Sequence, residues 1–104
     1  MSNAINVRVV SPITTKGFRK DSDFDAIRNS DLNISHSQIE IGPASIETEF
    51  DEAMSQPDTI LKIIDAENEG CDAAVIDCMG DPGLKGAREC VSIPVVGPCE
   101  TAMH

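Results

Sequence analysis

The apolar positions of this chain change period several times, and those changes mark out its elements. Residues 5–10, Ile-Asn-Val-Arg-Val-Val, alternate apolar and polar and then turn apolar, which predicts a first strand. Ser11-Pro12-Ile13-Thr14-Thr15 ends it as a loop. Residues 16–31 are polar, with Phe18, Phe24 and Ile27 as the only large apolar groups; the i, i+3 spacing of Phe24 and Ile27 predicts a helix within 22–30. Ile34, Ile39 and Ile41, closed by Gly42-Pro43, predict a second strand over 34–41. His36 lies inside it and reads as an ordinary sheet residue rather than a catalytic one.

The next stretch turns helical. Residues 47–54 suit a short helix, and Ser55-Gln56-Pro57-Asp58 carries the signature of a second start: a cap, a proline in the first turn and an acid three residues after the serine. From there a helix over 57–69 is expected. Its buried stripe is Ile60, Leu61, Ile63 and Ile64, opposite Asp65, Glu67 and Glu69, and Gly70 stops it. A strand at 72–77 follows directly, and its apolar run Ala73–Ile76 suits a parallel strand buried on both faces. A helix over 82–90 and a fourth strand over 92–96 complete the alternation. Strands alternating with capped amphipathic segments predict an α/β fold, a mostly parallel sheet flanked by helices, with right-handed crossovers. Pro98 opens a further helix that stops at His104 after a single turn. A single turn is not stable alone, so the domain is expected to continue beyond this chain.

The loop after the third strand carries the candidate chemistry. Cys78 falls just past the apolar run, and in open α/β sheets ligands collect at the carboxyl ends of strands. Gly80 and Gly83 let the backbone turn and approach a ligand. Asp81 reads as the N-cap and Pro82 as the first residue of the next helix, whose positive end would face the loop. A thiol placed there is expected to ionise more readily than a free one and to act as a base or nucleophile. The other cysteines read differently: Cys71 and Cys90 as packing, and Cys99 as a second residue at the same sheet edge.

Composition narrows the setting. The 104 residues make one domain at most, and with no Trp or Tyr and three Phe the core must be aliphatic. A net charge of −10 argues against nucleic acid and anionic membrane surfaces as partners. No apolar run approaches the roughly 18 residues of a membrane helix, and no signal peptide opens the chain, so the cytoplasm is the expected compartment. The four cysteines form no Cys-x-x-Cys pair and lie far from the two histidines in sequence, so neither a zinc site nor a disulfide scaffold is expected.

Three segments resemble one family. Asp-Cys-Met-Gly-Asp-Pro-Gly-Leu at 77–84 is similar to the first catalytic-cysteine loop of hydantoin racemases in the Asp/Glu racemase superfamily. Gly42-Pro43-Ala44-Ser45-Ile46-Glu47 is similar to that family's Gly-Pro-Ala-Ser-Ile-Glu segment. Ile93-Pro94-Val95-Val96-Gly97 with Glu100-Thr101-Ala102-Met103-His104 is similar to the segment after the cysteine loop. The resemblance covers the first half of a family member, so residues 1–104 are expected to be the N-terminal half of a two-domain protein with a Rossmann- or flavodoxin-like sheet. Relatives carry an Asn-Pro-Asn-Thr-Ser type loop after the first strand; here Pro12 and Thr14 fit, while Ser11 and Ile13 stand where asparagines would. Asp77 stands where relatives have a small apolar residue.

The resemblance implies a cofactor-independent racemase in which two cysteines flank a carbon next to a carbonyl, one removing a proton and the other returning one. Cys78 would be the first of the two. Pro12, Thr14, Ser45, Gly80 and Asp81 would contact substrate, a hydantoin, allantoin or an acidic amino acid, in a homo-oligomer. The alternatives are a folded but non-catalytic half domain, or a decarboxylase or isomerase of the same superfamily.

Overall fold

The computed structural model describes residues 4–17 and 21–99. Four parallel strands form one sheet: β1 (Ile5–Ser11), β2 (Leu32–Gln38), β3 (Ala73–Ile76) and β4 (Val95–Val96), in the order β2-β1-β3-β4. Two helices, α1 (Glu49–Asn68) and α2 (Leu84–Cys90), supply the β2–β3 and β3–β4 crossovers, and a single 3-10 turn at Asp21–Phe24 lies in the connection from β1 to β2. This is the α/β sheet that the alternation of patterns predicts.

Register places Val10 beside Ile76 and Ala74 beside Val95, so these four point to one face. Both helices lie there. Val10, Ala74, Ile76 and Val95 join Ile63 of α1 and Leu84 and Ala87 of α2 in a single buried cluster, aliphatic throughout. The opposite face is only partly covered. Phe24 and Arg28 lie against β2, where the Arg28 guanidinium donates to the Ile34 carbonyl and the Phe24 ring meets that of His36 at 6.1 Å. Ala73 and Val75 on this face are half-buried, not buried on both sides as their apolar run suggests, because α1 and α2 sit on the same side.

Several element boundaries differ from the pattern's prediction. The helix expected over 57–69 begins at Glu49 and absorbs the shorter one expected at 47–54. Thr48 caps it, accepting from the Asp51 N–H at 3.1 Å, and Pro57 sits inside it. Position 57 is on the exposed side of the helix, away from the buried cluster. Asp58 is buried and accepts the N–H groups of Glu40 and Ile41, which fastens the end of β2 to α1. The second strand runs 32–38, not 34–41: Ile39 is buried just beyond it, and Ile41 is 80 % exposed. Leu61, expected in the buried stripe, is 55 % exposed beside Phe50 and Met54. The helix expected within 22–30 is the 3-10 turn alone. Helix α2 begins at 84, not 82, and the strand expected over 92–96 is Val95–Val96. Phe18 and residues 100–104 lie outside the described residues.

Candidate active site

The strand order fixes where a ligand would sit. From β1 the chain moves to β2 on one side, and from β3 to β4 on the other, so the connections diverge between β1 and β3. The crevice at the carboxyl ends of these two strands is the topological switch point of the sheet, the usual place for a ligand in an open parallel fold. Ser11 ends β1 there with Pro12 just beyond it, and Asp77 and Cys78 follow the end of β3. The Asp77 N–H donates to the Val10 carbonyl at 2.9 Å, holding the two strand ends in register past the last ladder pair.

Cys78 opens a tight turn in which the Asp81 N–H donates back to its carbonyl at 3.0 Å. The cysteine is a free thiol, half-buried, with its side chain against the buried cluster on the helix face. Met79 beyond it is 64 % exposed. Gly80 is exposed, and a Cβ there would stand 3.5 Å from a carboxylate oxygen of Glu52 on α1.

Asp81 does not cap α2. It takes a left-handed conformation, φ 49°, and its carboxylate accepts the backbone N–H of Cys99 at 3.0 Å. The residue in the N-cap position is Gly83, also left-handed, with no side-chain cap. Gly97 is buried against Asp81: a Cβ on it would lie 2.3 Å from the carboxylate carbon. The cysteine loop is therefore fastened to the end of β4. Gly80, Asp81, Gly83 and Cys99 line one groove of about 400 Å3 with Gln56, Leu84, Lys85 and Gly86.

The other two loops at this edge are fastened to each other. The Thr14 N–H donates to the Pro43 carbonyl at 2.9 Å and its hydroxyl to the same oxygen at 3.3 Å. The Thr15 hydroxyl donates to the Ala44 carbonyl at 2.5 Å, and the Gln38 side-chain amide donates to the Thr15 carbonyl. Of the residues expected to touch substrate, Pro12 is fully buried, and the hydroxyls of Thr14 and Ser45 are engaged, the latter with Glu47 at 3.2 Å. Ser45 and Gly80 are exposed and Asp81 is half-buried.

One cluster at the crevice is not apparent from spacing alone. Ser11 is buried, and its Oγ lies 2.7 Å from His36 Nε2 and 3.3 Å from Asp77 Oδ2. The signal that could have found it is the period of two: Ser11, His36 and Asp77 all fall on the face away from the helices. The remaining cysteines separate as follows. Cys71 is buried, as its position before β3 predicts. Cys90 is exposed at the end of α2, contrary to its expected place in the core, because α2 turns only Leu84 and Ala87 inward.

The resolved shifts in titration lie away from the crevice. Near the amino end of β3, burial is the largest single influence on the Arg8 guanidinium and lowers it, but its hydrogen bond to Glu69 at 2.8 Å and its interactions with the charges of Cys71 and Glu69 together outweigh burial, so it ends above its ordinary value. The same bond holds the Glu69 carboxyl below its usual range. Lys62 is raised, first by its hydrogen bond to Glu40. Among the described residues no group of three or more His, Cys, Asp or Glu side chains is placed to hold a metal, and no helix is long and apolar enough to cross a membrane.

With this geometry in place, three comparisons bear on the chain. A family described as Asp/Glu/hydantoin racemase matches residues 10–104. A hydantoin racemase of Pseudomonas sp. (strain NS671) is 41 % identical over 102 residues, covering 96 % of this chain and 41 % of the relative. One from Rhizobium meliloti is 36 % identical over 102 residues, covering 96 % of this chain and 42 % of the relative. An allantoin racemase from Klebsiella pneumoniae superposes with a TM-score of 0.88 at 32 % identity, covering 97 % of this chain and 42 % of that one. The chain thus spans about two fifths of the length of the relatives it matches.

Proposed function

We propose that this chain, which belongs to the Asp/Glu/hydantoin racemase family, contributes half of a cofactor-independent racemase site and that Cys78 is its proton-transfer residue. The observation that carries the reading is the position of a free, half-buried thiol at the end of β3, on the crevice where the sheet's connections diverge. As thiolate, Cys78 removes the proton from a carbon next to a carbonyl in a hydantoin, allantoin or a similar small substrate. A thiol on the far side of the planar intermediate returns one. Turn N–H groups at the crevice stabilise the developing oxyanion. Pro12, Thr14, Ser45, Gly80 and Asp81 shape the substrate's surroundings, Thr14 and Asp81 by holding their loops rather than through free polar atoms.

The second thiol is not Cys99 on this reading. Cys78 and Cys99 follow β3 and β4, neighbours in one parallel sheet, and so approach a ligand from the same edge. Inversion at carbon needs acid and base on opposite faces. The partner thiol belongs to a second half like that of the longer relatives, with the crevice between the two halves, in a homo-oligomeric enzyme. The test follows the optical activity of an enantiopure 5-substituted hydantoin. It uses the 104-residue chain, the chain completed to the length of its relatives, and the completed chain carrying Cys78→Ser. Decay with the completed chain alone is expected. Decay with the short chain, abolished by Cys78→Ser, would show that the site needs no second half. Decay unaffected by Cys78→Ser would remove Cys78 from the mechanism.

A further inference from the structure

The crevice holds a polar chain that the proton transfer just described does not use. His36 of β2, Ser11 of β1 and Asp77 at the end of β3 come from three neighbouring strands and meet on the face away from the helices. Ser11 is the middle member, fully buried, 2.7 Å from His36 Nε2 and 3.3 Å from Asp77 Oδ2. A serine hydroxyl has one hydrogen. In the tautomer with the hydrogen on His36 Nε2, Ser11 accepts from the ring and gives its own hydrogen to the Asp77 carboxylate. The order is the reverse of a nucleophilic triad: the serine joins the other two and is shut off from solvent, so it attacks nothing. Its effect is on the carboxylate, which immediately precedes Cys78. A negative charge beside a thiol opposes the formation of thiolate, and a donor that draws that charge away weakens the opposition.

We propose that Ser11, backed by His36, is a positioning residue for Cys78: it holds the Asp77 carboxylate against the β1–β2 face of the sheet and so keeps that charge from suppressing the neighbouring thiolate. The inference rests on the reading of Cys78 as the proton-transfer thiol. Other ionisable groups also face the turn: Asp81 within it, Glu52 of α1 against Gly80, Lys85 of α2, and Cys99 after β4. They are unchanged across the variants that test it, so a double-mutant cycle separates their influence from that of Asp77.

The cycle compares the intact chain, Ser11→Ala, Asp77→Asn and the double variant. Alkylation of Cys78 by iodoacetamide is followed by mass spectrometry from pH 6 to 10, after far-UV circular dichroism has verified each fold. Ser11→Gly replaces Ser11→Ala if the latter does not fold. Ser11→Ala is expected to move the alkylation profile to higher pH, slowing the reaction about twofold at neutral pH, the size expected for part of a unit charge acting across several ångströms of hydrated protein. Asp77→Asn is expected to move it to lower pH. In the Asp77→Asn background, Ser11→Ala is expected to move nothing, because the charge it manages is gone. A purely structural role for Ser11 would displace the profile equally in both backgrounds, and that result, or no displacement in either, overturns the proposal. Both are read on the thiol itself, so they remain distinct from a failure of Cys78→Ser to abolish racemisation in the completed enzyme.

Discussion

Replacing Gly97 by alanine tests whether the cysteine loop is held by β4. Gly97 is buried, and its φ lies outside the left-handed region, so alanine suits its backbone. The obstacle is Asp81: the new Cβ would stand 2.3 Å from its carboxylate carbon and 2.5 Å from both oxygens. Either the carboxylate swings away and loses its bond to the Cys99 N–H, or the backbone moves. A hydrogen bond to a charged group contributes about 1.5–3 kcal/mol, nearer the lower figure for a half-buried aspartate. Backbone shifts of this kind cost about 1–3 kcal/mol. The chain takes the easier route, so Gly97→Ala should destabilise by about 1.5–2 kcal/mol. That corresponds to a fall of about 10 °C in Tm for a domain of this size. Asp81→Gly loses the same bond but relieves a left-handed non-glycine residue, which itself costs about 1 kcal/mol, so its net effect should be below about 1 kcal/mol. In the Asp81→Gly background the clash is absent, and Gly97→Ala should then cost under about 0.5 kcal/mol. The assay is urea unfolding of the four chains of this cycle. A coupling near 1.5 kcal/mol supports the packing of Asp81 on Gly97. Additive effects would refute it, because two residues that do not touch have nothing to share.

Two further predictions concern the thiol and the response to acid. Cys78 should alkylate faster at neutral pH than Cys71 and Cys90, measured by mass-spectrometric labelling rates; a rate no greater than that of Cys90 would end its assignment. Glu69, held below its usual range by Arg8, stabilises the fold above its unfolded value near 4.5 and loses that contribution as pH falls through its lower folded value. The urea midpoint of the intact chain should therefore exceed that of Glu69→Gln at pH 7, with the difference vanishing once the pH has fallen through the lowered folded value of Glu69. A difference that persists or grows in acid would show that the pair does not act through its charge.

What could be read from the sequence was whatever a local pattern decides. Apolar runs bounded by turn residues mark the four strands of the parallel sheet, each overlapping its expected range. Boundaries failed where a local signature had a tertiary competitor. Ser55-Gln56-Pro57-Asp58 has the composition of a helix start, yet Thr48 had already opened the helix, and Asp58 is turned to the N–H groups of Glu40 and Ile41. Ile39 and Ile41 extended the apparent second strand, but only Ile39 is buried, tied by its N–H to the Ser11 carbonyl at 3.1 Å. The position of Cys78 at the crevice was legible because strand ends are. The cluster of Ser11, His36 and Asp77 was not, because it joins three strands whose order no local pattern states.

Asp81 shows how such a competitor alters the chemistry and not only the boundary. Read locally, Asp-Pro-Gly after a strand is a cap and a first helical turn, and the positive end of that helix would lower the barrier to ionising Cys78. In the fold the helix begins six residues after the cysteine and runs only from Leu84 to Cys90, while the effect of a helix dipole fades within its first turn. Asp81 gives its carboxylate to the chain after β4 instead, which positions the loop but adds a negative charge near the thiol. Any reactivity of Cys78 must then come from its place at the crevice and from how the surrounding carboxylates are restrained. This sharpens the labelling experiment. Exposure favours Cys90, which is open to solvent, over Cys78, which is half-buried. Faster labelling of Cys78 could not be explained by access and would have to reflect a larger thiolate fraction, whereas faster labelling of Cys90 is what access alone predicts.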